Sequence, residues 1–148
     1  LLLAINAYWK FAVAYQGEKY IIPLKTVGEV DNITEEYEDA WDSCGTVTSM
    51  ALEVAVRFNA ENIFLVGVDL AYPGGISHAT GTADRSQISE EGLIPVEGCG
   101  GTMVYSDTVL TSYRHDMESR IAQTSWISYY NLSKVGARIA GTKDWKPV

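Results

Sequence analysis

The stretch NIFLVGVDLAYPGGISHATGTAD, residues 62 to 84, passes within a few positions from a continuous apolar run into a loop of glycine, histidine, threonine and aspartate. The run has no polar alternation and no proline. That is the pattern of a strand covered on both faces in a parallel sheet, so residues 63 to 69 are expected near the centre of such a sheet. The segment before it, GTVTSMALEVAVRFNA, places Val47, Met50, Val54 and Phe58 at helical spacing with Ala51 and Ala55 on the same face. Thr46 or Thr48 is expected to cap this helix.

The same alternation continues downstream. An extended piece is expected near Leu93 to Val96, followed by a second glycine-rich turn, EGCGGTMVYSD. SDTVLTSYRHDMESRIAQT then sets Val109, Leu110, Tyr113, Met117 and Ile121 on one side of a helix, WISYYNLS reads as a strand, and KVGARIAGT as a turn with a short extended ending. Helices alternating with apolar strands predict an α/β fold, Rossmann-like, with a mostly parallel sheet and helices on both faces.

Length and charge narrow the function classes. A chain of 148 residues, 47% hydrophobic, holds one globular core, and a single domain is expected. The net charge of -8 provides no basic footprint for nucleic acid or for an anionic membrane. Cys44 and Cys99 have neither metal-ligand spacing nor a disulfide framework, which suits reduced thiols in a cytoplasmic protein. The amino-terminal LLLAINAYWKFAVAY is interrupted by Asn6 and Lys10 and is too short for a membrane span. It is expected to be a core element, and its start without methionine suggests a piece of a longer chain. EVDNITEEYEDAWD, residues 29 to 42, is expected to be a solvated loop or frayed helix.

Ligands of open α/β sheets bind beyond the carboxyl ends of the strands, which is where Asp69 is expected. Two helix starts, Gly45 to Ser49 and Gly100 to Asp107, offer free backbone N–H groups, small residues and hydroxyls that hold a phosphate without a basic side chain. His78 shares the loop with Asp69, Tyr72 and the glycines, and is weighed there as a catalytic residue against a hydrogen-bonded structural one. Asp69 as a turn cap, His115 on a solvated helix face, and Tyr129 and Tyr130 as core and rim aromatics are the plainer readings of those positions.

The blocks ALEVAVRFNAENIFLVGVDLAY, GGISHATG, VEGCGGTMVYSDTVLTSY and GARIAGT, in that order over about residues 43 to 142, resemble the central domain of the motility-accessory-factor glycosyltransferases. They are similar as well to archaeal 6-hydroxymethylpterin diphosphokinase-like proteins and, more distantly, to bacterial sialyltransferases that use a CMP-sugar. The resemblance implies transfer of a nonulosonate-type sugar from a nucleotide donor to a protein acceptor such as flagellin, in the cytoplasm. It implies Asp69, Tyr72 and His78 as catalytic residues. Cys44, Gly45, Thr46, Thr48, Ser49, Gly67, Gly74, Gly75, Gly100, Gly101 and Thr102 are the implied nucleotide-binding positions, and no metal ligand is expected. The glycine-asparagine/alanine-glycine-proline-serine turn with which those families begin does not occur in this sequence. Two alternatives stand beside the transferase: Mg²⁺-dependent diphosphoryl transfer to a pterin, with Asp69 on the metal, and a non-catalytic ligand-binding or assembly domain.

Overall fold

The computed structural model describes residues 1–4, 7–25, 40–42, 45–77, 81 and 85–144. The chain divides into two compact units, Leu1–Cys44 and Gly45–Val148, and all but the first two positions of the family-like stretch fall in the second. The described residues form a mixed α/β structure with three helices and several small sheets, some of them parallel. No helix among them is long and apolar enough to cross a membrane.

In the first unit, β1 (Leu2–Ala4) pairs in parallel with β2 (Tyr20–Ile22), and α1 (Trp9–Ala14) connects them. A second parallel pair joins β3 (Leu24–Lys25) to β4 (Trp41–Asp42). The expectation of a core element at the amino terminus needs correction, because α1 buries none of its residues and Tyr8, Trp9, Phe11 and Val13 are all exposed. Its apolar residues meet one another instead: the Tyr8 ring lies 6.1 Å from Trp9 and 6.2 Å from Phe11, and the Lys10 ammonium lies over Tyr8 and Trp9. Of the acidic stretch, Ala40 is buried and Trp41 and Asp42 form β4, while residues 29 to 39 lie outside the described residues.

The second unit begins at Gly45, whose φ of +69° suits a residue without a side chain. Thr46 then caps α2 (Val47–Arg57), its hydroxyl accepting from the Ser49 N–H at 3.0 Å. The helix ends with Asn59 in the left-handed region, φ +54°, where asparagine is tolerated. Its buried residues are Ser49, Leu52 and Val56. The buried face runs through these three and not through the expected positions, which leaves Val47 86% exposed and Phe58 75%.

β5 (Asn62–Leu65) pairs in parallel with β8 (Ser128–Asn131), which pairs in parallel with β9 (Lys143–Asp144). Ile63 faces Tyr129 and Leu65 faces Asn131 in register, and all four are buried. Leu52 and Val56 of α2 and Met117 and Ile121 of α3 (Thr108–Gln123) close the core over that face, with Ile139 beside them. Glu53 ties the two helices by charge, pairing with Arg57 and Arg120 at 2.7 Å each.

Three further expectations change. Among the described residues β5 stands at one end of the sheet order rather than in its centre, hydrogen-bonded to β8 alone. Its burial alternates although its hydrophobicity does not. Phe64 faces outward and stacks on Tyr130 at 4.9 Å, so an apolar residue is accommodated without a second buried face. The third change concerns the second glycine turn, which is not a helix start. It is the bend of an antiparallel hairpin between β6 (Ile94–Glu97) and β7 (Met103–Ser106), and α3 begins only after Ser106. On α3 the buried residues are Met117 and Ile121, while Val109 is exposed.

Candidate functional site

The end of β5 runs into a tight path. Gly67 adopts φ +66°, and Leu70 adopts φ +47°, a conformation costing a side-chain-bearing residue roughly 1–2 kcal/mol. The hairpin holds this strained segment in place. Ser106, 1% exposed, donates its hydroxyl to the Leu70 carbonyl at 3.0 Å, and the Tyr72 N–H donates to the Tyr105 carbonyl at 2.8 Å. A non-glycine residue kept in the left-handed region beside a cavity marks a place where the fold fixes backbone geometry at a cost.

That cavity, of about 570 Å³, is lined by Gly67, Asp69, Leu70, Thr48 of α2, Ser77 and Arg85, with Ile76, Leu110 and Val135 among its apolar walls. Asp69 faces a second neighbourhood as well. The Ser133 hydroxyl donates to Asp69 Oδ1, and Ser133 lines an adjoining cavity of about 370 Å³ together with Cys99, Gly100, Asn131, Lys134 and Asp144.

Further hydrogen bonds link Ser133 and its neighbours back to the Asp69 backbone. The Ser133 N–H donates to Asn131 Oδ1 at 2.9 Å, Asn131 Nδ2 donates to the Cys99 sulfur at 3.6 Å, and the Cys99 N–H donates to the Gly136 carbonyl at 2.9 Å. The Ala137 N–H returns to the Asp69 carbonyl at 2.7 Å. Gly136 makes the crossing feasible, because a Cβ there would stand 2.5 Å from both Cα and O of Asp69. Burial and the nearby charges of Asp144 and Asp69 push the Cys99 thiol up, which keeps it protonated and poorly nucleophilic at neutral pH.

Of the sequence-predicted site residues, Thr48, Gly67 and Asp69 share one cavity, and Gly100 lies in the neighbouring one. Thr48 of the first turn thus lines the large cavity with Asp69, and Cys99 and Gly100 of the second line the smaller one. Thr46 and Ser49 are engaged with each other at the start of α2, hydroxyl to hydroxyl at 3.0 Å. Gly101 and Thr102 shape the hairpin bend, where Thr102 Oγ1 donates to the Cys99 carbonyl at 3.1 Å. Gly74 and Gly75 form a left-handed turn with φ +65° and +72°. His78 and Cys44 lie outside the described residues.

Tyr72 is engaged with Asp107. Its hydroxyl donates to Asp107 Oδ2 at 2.5 Å, and Asp107 Oδ1 caps α3 by accepting from the Leu110 N–H at 2.7 Å. That hydrogen bond, then burial and then the Asp107 charge, push the Tyr72 phenol up to about 12. A hydroxyl engaged in this way secures the helix start.

Sequence reasoning missed Arg85 and Ser133. Arg85 sits in a polar loop with no periodicity, and Ser133 follows a strand in a segment with no motif. Only the fold brings them to Asp69. Among the described residues, no group of three or more His, Cys, Asp or Glu side chains gathers that could hold a metal ion. Comparisons with protein-family models, with curated proteins and with solved structures find no match.

Proposed function

We propose that the second unit is a Rossmann-like nucleotide-sugar transferase whose donor occupies the cavity beyond β5, and that it modifies a protein acceptor such as flagellin. The observation that carries this reading is the placement of the Asp69 carboxylate four residues beyond the end of β5, in a cavity of about 570 Å³ that also presents Arg85, Thr48 and Ser77. That size suits a nucleotide-scale ligand, and strand ends are where α/β sheets hold such ligands. The parallel crossover from β5 through α3 to β8 supports the Rossmann-like assignment, and the strained Leu70 supports a functional role for this corner.

In the proposed reaction an acceptor hydroxyl attacks the anomeric carbon of the sugar. The bond from that carbon to the phosphate oxygen breaks, and the hydroxyl proton passes to Asp69. Arg85 and the Thr48 hydroxyl meet the charge left on the departing nucleotide. Ser133 holds the carboxylate in position from the far side.

Calorimetric titration with CMP, and with ATP in the presence and absence of Mg²⁺, tests the assignment. CMP binding weakened about 10- to 100-fold by Arg85→Gln is expected. Asp69→Asn should keep CMP binding and, in a chain that transfers sugar, lower turnover by about 100- to 10,000-fold. Mg²⁺-dependent ATP binding in preference to CMP would replace this reading with diphosphoryl transfer, and binding of neither nucleotide with a non-catalytic domain.

A further inference from the structure

A third cavity, of about 440 Å³, shares no lining residue with the two that flank Asp69. One wall is a face of α3, where Thr111, Arg114, His115 and Glu118 fall at spacings of three and four residues and so stand side by side. The other wall is β6, with the segment around Arg138.

Arg114 is the unusual member. Its side chain is only 15% exposed, its Nε is buried, and that N–H has no hydrogen-bond acceptor among the described residues. The nearest carboxylate oxygen, Glu118 Oε1, is 3.9 Å away and already accepts from the Ala140 N–H at 2.9 Å. That distance is beyond hydrogen-bond reach, so the Arg114 charge is only loosely matched by Glu118.

Across the cavity, Arg138 pairs with Glu97 at 3.1 Å in an exposed and therefore weak contact, so its guanidinium is available to an incoming anion. His115 and the Thr111 hydroxyl supply further polar contacts from the helix wall. Ile94 and the buried Val96 supply an apolar floor.

We propose that this cavity binds a phosphate monoester carried on a small apolar group. Donors on two facing walls suit a tetrahedral anion with oxygens in several directions better than a planar carboxylate. Glu97 and Glu118 balance the charges of the two arginines, which tells against a polyphosphate more strongly than against a single phosphate group. The apolar floor favours an organic ester over free phosphate. This site is independent of the nucleotide-sugar reading, because none of its residues takes part in that mechanism.

The test is an amide-resolved NMR titration of the full chain with phenyl phosphate, inorganic phosphate and benzoate. Phenyl phosphate is expected to saturate, shifting resonances of residues 94–97 and 111–118, with inorganic phosphate weaker. Arg114→Gln should weaken binding about tenfold or more, Arg138→Gln by a smaller factor, and Arg85→Gln not at all. Arg138 is exposed, so its variant keeps the test decisive should Arg114→Gln fail to fold. Absence of saturation up to about 10 mM overturns the proposal, that concentration marking affinities too weak for a built site. Binding unchanged in both foldable variants, shifts confined to the Asp69 cavity, or benzoate as tight as phenyl phosphate also overturns it.

Discussion

Gly136→Ala should be among the most damaging single-methyl additions in the second unit. The new Cβ would lie 2.5 Å from Cα and from O of Asp69 and 2.9 Å from its carbonyl carbon, all backbone atoms that no side-chain rotation can clear. Ordinary contact begins at 3.4 Å, so the two segments must part by about 0.9 Å. Overpacking of this kind costs about 1–3 kcal/mol. Separation also weakens the hydrogen bonds from Ala137 N–H to Asp69 O and from Cys99 N–H to Gly136 O, each contributing about 1 kcal/mol. A loss of about 3–4 kcal/mol follows, lowering Tm by about 15 °C or more in a unit of this size.

The control is Gly74→Ala, where φ is +65° but a Cβ would meet nothing within 4 Å. Backbone conformation alone then costs about 1–2 kcal/mol. Paired thermal and urea melts of the two variants separate close approach from left-handed geometry. If Gly136→Ala is no more destabilising than Gly74→Ala, the close crossing at Asp69 is not what the fold depends on.

Thr46→Ala removes the acceptor for the Ser49 N–H and should cost about 1 kcal/mol in urea unfolding, with no change in the slope of the transition. The Tyr72 phenol is raised to about 12 in the folded protein from an ordinary value of 10.0, so its stabilising contribution is complete below pH 10 and is lost as pH rises towards 12. Wild type should therefore lose stability across that interval more steeply than Tyr72→Phe, and parallel pH profiles would contradict the Asp107 hydrogen bond. Cys99, its thiol pushed up by burial and by two carboxylates, should alkylate more slowly than a free cysteine at neutral pH in a Cys44→Ser background; equal rates would refute the shielded environment.

Local chemistry was the legible part of this chain. A cap at Thr46 or Thr48 was legible because a hydroxyl before an apolar-periodic segment has few other local uses, and the fold takes Thr46; β5 and β8 were visible as short apolar runs. What composition could not convey was which side of each element would be covered. Val47 and Phe58 are as hydrophobic as Leu52 and Val56, yet only the latter pair lies over Ile63 and Leu65. Strand β7 was hidden by the glycines before it, since a bend and a helix start have the same residue preferences until the partner strand is known. The neighbourhood of Asp69 was least legible, as its partners Ser133 and Ala137 lie 64 and 68 positions away and each is an ordinary residue in its own surroundings.

Those long separations govern the order in which the molecule can be assembled. The helix α2, the hairpin and the start of α3 are closed by neighbours in the chain, and such local contacts form early. The Asp69 carboxylate acquires its Ser133 hydrogen bond only after a loop of 64 residues has closed, and Cys99 meets Gly136 and Ala137 only when the same late segment arrives. During synthesis, a chain released at Asn131 would carry every wall residue of the large cavity except Val135, together with its aspartate, but without the segment that orients it. The maturation of this corner is therefore tied to the emergence of the last strand connection, and a folding intermediate lacking it would hold the acid loosely.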